Sequence, residues 1–290
     1  MELTRKAYAK VNWNLQVLGA FPPDHPDADY TDIESTLILL DLYDEVTVRV
    51  LSSRNRGLTI ECHDPRVPQT QNENASENVC AKAVRALFET IPSLPENDLH
   101  IRLQKNIPLA GGLGGSSTDG AAVLEALDTL WSLSLSRKEK MEIASSFGSD
   151  TAFFASGYCV AQVVGRGIHV REVSPFLKQA SLVCVYPQRE LFVGDVYQSL
   201  RESEFPGCGM RRGIDEFAND LEYAPYVQEV FPEREEICRV LCESGCSQAQ
   251  MSGSGPTCYG VVSEEETSAE IVAHVQERFP KYDVFTANPL

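Results

Sequence analysis

Apolar and polar residues alternate from Lys10 to Val17, with Val11, Trp13, Leu15 and Val17 on one face and Lys10, Asn12, Asn14 and Gln16 on the other. A period of two predicts a strand buried on one face. The next stretch, Gly19–Asp32, holds three prolines and four aspartates, a composition that predicts a loop. The period of two returns at Val46, Val48 and Val50 and at Leu99, Ile101 and Leu103. Between those two strands a helix starts near Asn78 and carries Ala83, Val84, Leu87 and Phe88 on its inner stripe.

Beyond Leu103 the chain enters a glycine-rich run and then takes helical spacing, with Leu124, Leu127 and Trp131 as the buried stripe. Ser136 and Glu139 form a capping box for another helix. Its stop at Gly148 places Asp150 in the turn beyond. Strand pattern follows over Tyr158–Val164 and Ser181–Tyr186, then a helix over Arg234–Glu243 and strands flanking Ser252–Gly255. A helix over Thr267–Arg278 and a strand over Tyr282–Thr286 complete the series. This is an α+β chain without internal repeats.

A length of 290 residues with 43% hydrophobic content suits two domains of ordinary size. The net charge of −17, from 25 Lys plus Arg against 42 Asp plus Glu, argues against broad binding to nucleic acid. One nucleotide ligand needs only a local pocket of backbone N–H groups and one or two cations, so it stays open. No segment reads as a membrane span, and Lys10, Asn12 and Asn14 break what would be the apolar core of a secretory signal. Nine scattered cysteines without a CxxC pair predict reduced thiols in a cytoplasmic protein. Cys238, Cys242 and Cys246 have no histidine nearby and read as small thiols at helical spacing rather than a metal site.

Gly111, Gly112, Gly114 and Gly115 with Ser116 and Ser117, just ahead of a helix, let a backbone approach an anion that the helix N-terminus attracts. A tight strand-to-helix turn also needs glycine. Five glycines or serines in the six residues from Gly111 exceed that need, so a phosphate cradle is expected. No Gly-Lys-Ser/Thr ends the run, which excludes a Walker loop. Asp119 follows closely, where a carboxylate must point away from a polyphosphate or help hold magnesium.

Pro108 to Ala122, PLAGGLGGSSTDGAA, resembles the second motif of the GHMP kinase superfamily. Ala9 to Gly19 resembles its N-terminal motif and Met251 to Val262 its C-terminal glycine-rich motif, in the same order along the chain. Within the superfamily the chain is similar to the 4-diphosphocytidyl-2-C-methyl-D-erythritol kinases. That likeness rests on Ala9-Lys10-Val11-Asn12, Leu42-Tyr43-Asp44, Lys105 before Ile107-Pro108, Gly148-Ser149-Asp150, Gly165-Arg166-Gly167 and Asn219-Asp220-Leu221-Glu222.

The resemblance implies a two-domain fold. Residues 1–163 would be like ribosomal protein S5 domain 2, and residues 164–290 ferredoxin-like. It also implies transfer of the γ-phosphate of ATP, with Mg2+, to the 2-hydroxyl of the cytidylyl substrate by a monomer or homodimer. Asp150 would be the catalytic base and Lys10 its partner. Pro108, Gly111, Gly112, Leu113, Gly114, Gly115, Ser116 and Ser117 would hold the nucleotide, and Asn12, Tyr30, Lys105, Ser252, Gly253 and Ser254 the acceptor. The metal ligands stay unassigned.

Departures fall on the acceptor side. Asp29-Tyr30-Thr31 stands where the family has Gly-Tyr-His, Thr151-Ala152 where it has Val-Pro, and Phe192-Val193-Gly194 in place of a segment with Ser or Thr. His25, five residues before Tyr30, is a candidate substitute for the absent histidine. A kinase for another small alcohol or sugar, or a catalytically silent nucleotide-binding regulator, are the competing expectations.

Overall fold

The computed structural model describes residues 1–53, 55–70, 75–177, 180–201, 212–262 and 268–290. In chain order the elements are β1 (Glu2–Ala20), β2 (Thr31–Val50), β3 (Leu58–Cys62), α1 (Val79–Thr90), β4 (Leu99–Gln104), α2 (Gly115–Leu130), α3 (Arg137–Ser145) and α4 (Thr151–Ser156). There follow β5 (Val160–Gly165), β6 (His169–Glu172), β7 (Ser181–Tyr186), α5 (Val193–Arg201), β8 (Ala218–Asn219), α6 (Pro225–Val230) and α7 (Arg234–Glu243). The chain ends with β9 (Gln248–Met251), β10 (Cys258–Val262), α8 (Ser268–Arg278) and β11 (Asp283–Ala287). Thr267, the expected first residue of the last helix, lies outside the described residues.

By its contacts the chain divides into two compact units. Unit 1 is Met1–Ala9, Tyr43–Ile107 and Gly114–Tyr158, and unit 2 is Lys10–Leu42, Pro108–Leu113 and Cys159–Leu290. This differs from a single division after residue 163, because β1 and β2, at 19 and 20 residues, are long enough to serve both units.

In unit 1 the C-terminal half of β2 pairs antiparallel with β4, from Glu45–Gln104 to Val50–Leu99, and β3 joins the far side of β4 in parallel. Val46, Val48, Val50, Ile101 and Leu103 pack with Val84, Leu87, Leu124 and Leu127 of α1 and α2 in one core. Burying those side chains is the main favourable term for this unit. Asn78 starts α1 by accepting the Cys80 N–H at 2.8 Å, and Ser136 with Glu139 completes the capping box of α3.

In unit 2 the N-terminal half of β2 pairs antiparallel with β5, which pairs with β6, and β8 joins β1 in parallel. A second sheet of unit 2 runs β11-β7-β10-β9, all antiparallel, with α7 and α8 packed on it. That β-α-β-β-α-β order is the ferredoxin-like arrangement.

One expectation is corrected here. The polar face of β1 from Lys10 to Gln16 is buried as fully as its apolar face. Its side chains satisfy backbone instead of meeting water: Asn14 Nδ2 donates to Gly213 O at 2.8 Å, and Arg212 N donates to Gln16 Oε1 at 2.5 Å. Asn14 Oδ1 also accepts the Thr36 N–H at 2.9 Å. Alternation shows that two faces differ in chemistry, and buried amides that find partners lose little by leaving water.

Candidate active site

In unit 2, Lys10 Nζ donates to Asn12 Oδ1 at 2.6 Å and to the Gly112 carbonyl at 2.9 Å, and its residue is 4% exposed. Lys10 N also donates to Leu113 O at 2.9 Å, so strand and loop are joined through backbone and side chain. Asn12 Nδ2 in turn donates to Ser35 Oγ at 2.8 Å. The Ser252–Gly255 loop closes on the same residues: Ser252 Oγ donates to Gly112 O at 3.1 Å, and a Cβ on Gly253 would come 3.2 Å from Lys10 Nζ. Asn219 holds this loop by donating to Met251 O and Gly253 O at 2.9 and 2.8 Å, and Glu222 accepts the Met251 N–H at 2.6 Å. Gln250 and Tyr259, not singled out in the sequence, both donate to the Asn12 carbonyl. Both lie in predicted strand positions where only packing was legible.

Gly112 is where glycine is indispensable. Its φ is +76°, and a Cβ there would lie 2.3 Å from Ser252 O and 2.8 Å from Gly255 O. Gly112→Ala is therefore expected to lower stability by at least ~2 kcal/mol, a fall in Tm of roughly 5 °C. Gly157→Ala is the control, since its φ of +69° carries the same strain with nothing within 4 Å of the new Cβ. Thermal melts showing equal losses for both variants would mean that the close approach at Gly112 is unimportant.

Unit 1 supplies the other half of the glycine-rich run. Gly114 is the N-cap of the 16-residue α2, in left-handed conformation and with no side chain to cap it. The first-turn N–H groups of Gly115, Ser116 and Ser117 thus keep their capacity to bind an anion, aided by the helix dipole.

Asp119 is the fifth residue of α2 and is buried. Its Oδ2 accepts from Lys105 Nζ at 2.5 Å, so the carboxylate is committed to a lysine. Lys105 also donates to Asp44 Oδ2, and lies 3.4 Å from the Gly115 carbonyl. Burial pushes the Asp119 carboxyl up to about 7, against the pull of Lys105. Burial alone would lower the lysine, but Asp119 and Asp44 together hold it above its ordinary range. A groove of about 430 Å3 in the same unit is lined by Glu61, Cys62, His63, Arg102, Lys105 and Asn106, among others.

Asp150 occupies the N-cap position of α4 yet makes no capping hydrogen bond to that helix. Thr151 secures the turn instead, its hydroxyl lying 2.5 Å from both the Ala144 and Gly148 carbonyls. An aspartate caps a helix from extended backbone, whereas Asp150 is already helical at φ −76° and ψ −13°. Sequence reasoning placed Asp150 after a helix ending at Gly148, whereas α3 ends at Ser145.

Tyr30, in unit 2, is 46% exposed, with the Arg166 guanidinium 4.8 Å from its ring centroid. Arg166 is also paired with Asp27 at 3.1 Å, and His25 stacks on Phe21 at 4.5 Å between centroids. The acidic loop is therefore ordered by ring stacking and ion pairing. Among the candidate residues, unit 2 gathers Lys10, Asn12, Gly111, Gly112, Ser252, Gly253 and Ser254, and holds Pro108, Leu113 and Tyr30. Unit 1 holds Gly114, Gly115, Ser116, Ser117, Lys105 and Asp150.

The described cysteines are free thiols, and no described helix is long and apolar enough to cross a membrane. No cluster of three or more His, Cys, Asp or Glu among the described residues is arranged to hold a metal ion, Cys238, Cys242 and Cys246 included.

Comparison with known proteins extends the picture from motifs to the whole chain. Residues 78–158 match the GHMP kinases N terminal domain and residues 209–281 the GHMP kinases C terminal family. The 4-diphosphocytidyl-2-C-methyl-D-erythritol kinase of Geobacter metallireducens is 36% identical, over 91% of this chain and 90% of its own. That of Caldanaerobacter subterraneus subsp. tengcongensis is 33% identical, over 92% and 90%. Among solved structures, a 4-(cytidine 5'-diphospho)-2C-methyl-D-erythritol kinase shares the fold with a TM-score of 0.76 at 24% identity, covering 99% of this chain and all of its own. The mevalonate kinase of Methanococcus jannaschii shares it with a TM-score of 0.68 at 13% identity, covering 100% of this chain and 99% of its own. Motif order, two-unit α+β architecture and full-length likeness agree: the chain belongs to the GHMP kinases, in the family of the 4-diphosphocytidyl-2-C-methyl-D-erythritol kinases.

Proposed function

We propose that this protein transfers the γ-phosphate of ATP to the 2-hydroxyl of 4-diphosphocytidyl-2-C-methyl-D-erythritol, as a soluble cytoplasmic enzyme acting as monomer or homodimer. The observation that carries the reading is the identity of 33–36% to kinases of that name over nine-tenths of the chain. The triphosphate would lie on the N–H groups of Gly115, Ser116 and Ser117 at the start of α2, with the Pro108–Leu113 backbone leading into it. The groove of about 430 Å3 lined by Lys105 and Asn106, in the same unit as that helix start, has the size of a small-molecule site and would take the nucleoside.

Asp150 accepts the acceptor hydroxyl proton as oxygen attacks phosphorus, and Lys10 steadies the charge that develops. The bond between the γ-phosphorus and the bridging oxygen breaks, leaving ADP. Mg2+ is commonly carried by the substrate phosphates, and the Ser116 and Ser117 hydroxyls would be this chain's oxygen donors to it. When bound it neutralises phosphate charge.

Asn12, Ser252, Gly253 and Ser254 would orient the methylerythritol, and Tyr30 the cytosine. Tyr30→Ala is expected to raise KM for the cytidylyl acceptor at least tenfold, about 1.4 kcal/mol, with KM for ATP within twofold. Steady-state kinetics on that acceptor, with homoserine and mevalonate as comparisons, test it. Turnover of another alcohol and none of the cytidylyl compound would replace this acceptor assignment.

A further inference from the structure

Lys105 was expected to touch the acceptor, but its surroundings suit another task. Its side chain is 5% exposed and lies between Asp44, at 0%, and Asp119, at 4%. The second oxygen of Asp44 accepts the backbone N–H of Asn106 at 2.5 Å and of Ile107 at 2.8 Å. Those residues end the approach from β4 to the glycine-rich loop. On its other side the ammonium holds Asp119 of α2 and lies within reach of the Gly115 carbonyl in that helix's first turn. One buried cation therefore ties the chain just before the loop to the helix just after it. Ile107 and Gly114, the two ends, belong to the same unit.

We propose that Lys105, with Asp44 and Asp119, is a positioning residue of the nucleotide site, fixing both ends of the loop and hence the direction of the N–H groups that begin α2. This rests on the reading of that helix start as the ATP phosphate site. The three donors of an ammonium are matched here by Asp44, Asp119 and the Gly115 carbonyl, so a base or hydroxyl of the acceptor has no donor left to use. An apolar contact could join two segments without burying two carboxylates. The ionic tether adds direction, because each oxygen accepts along a defined line.

The test separates tether from charge. Lys105→Met combined with Asp119→Asn keeps the net charge of the cluster at that of Asp44 alone, equal to the original sum of one cation and two anions, and cuts the tether. ATP affinity by calorimetry and both KM values are measured alongside a thermal melt. The expected result is ATP Kd and KM at least tenfold weaker, with KM for the acceptor within twofold. Asp44→Asn cuts the other end while leaving a neutral Lys105–Asp119 pair, and must weaken ATP in the same direction, which guards against a double variant that does not fold. A raised acceptor KM with unchanged ATP affinity, or no change in either, overturns the proposal. Absence of ATP binding in the unmodified protein overturns the underlying site assignment as well.

Discussion

Asp150→Asn is expected to lower kcat by two orders of magnitude or more, about 2.7 kcal/mol of barrier, while leaving ATP affinity within threefold. The amide keeps the size of the side chain but cannot take a proton. The turn itself is secured by Thr151 through the Ala144 and Gly148 carbonyls. A thermal melt of the variant, run alongside, separates a loss of chemistry from a loss of fold. Single-turnover measurement with saturating ATP isolates the chemical step. Retained turnover would remove Asp150 from the mechanism and return it to a turn residue.

Lys10→Met is expected to have the second large effect, at least a hundredfold in kcat, accompanied by a modest loss of stability. The thioether fills the same space but leaves Asn12 Oδ1 without that donor and the Gly112 carbonyl with the Ser252 hydroxyl in place of two donors. An unsatisfied buried acceptor of this kind costs about 1–3 kcal/mol. That cost is shared by the folded protein with and without substrate, so it appears in the melt and not in the kcat ratio. A variant with the lowered melt and unimpaired kcat would show that Lys10 only joins β1 to the loop.

The parts of the fold that were legible are those with a strong period or a capping signature. Val46, Val48 and Val50 predicted the C-terminal end of β2, whose start at Thr31 was not legible, while Leu99, Ile101 and Leu103 predicted β4 and Ser136 with Glu139 the start of α3, both as found. The strand β3 was missed although Leu58, Ile60 and Cys62 alternate with the exposed Thr59 and Glu61, because five residues with a single fully buried side chain give too short a window for the period to stand out. α4 was missed because six residues are too few to show helical spacing. The inward polar face of β1 was read as exposed because nothing local to Asn14 and Gln16 reveals that residues 212 and 213, some 200 positions on, meet their amides.

The candidate site was legible as motifs and not as contacts. The glycines, Lys10 and the Ser252–Gly255 loop stood out in the chain, and unit 2 brings them together through Gly112. Lys105 also stood out, yet its partners Asp44 and Asp119 come from 61 and 14 positions away, and only the fold shows that both carboxylates take it. The hold of Asn219 and Glu222 on the Ser252 loop was equally hidden, since a side chain to backbone bond leaves no trace in spacing.

Phosphorus NMR of the reaction tests the central assignment most directly. The purified protein is incubated with ATP, Mg2+ and 4-diphosphocytidyl-2-C-methyl-D-erythritol, and the product is followed to completion. The predicted result is one ADP per new phosphomonoester, with that phosphate on the 2-hydroxyl of the methylerythritol and the cytidine diphosphate intact. ADP formed at the same rate without the acceptor, or no phosphomonoester while ATP persists, would contradict it.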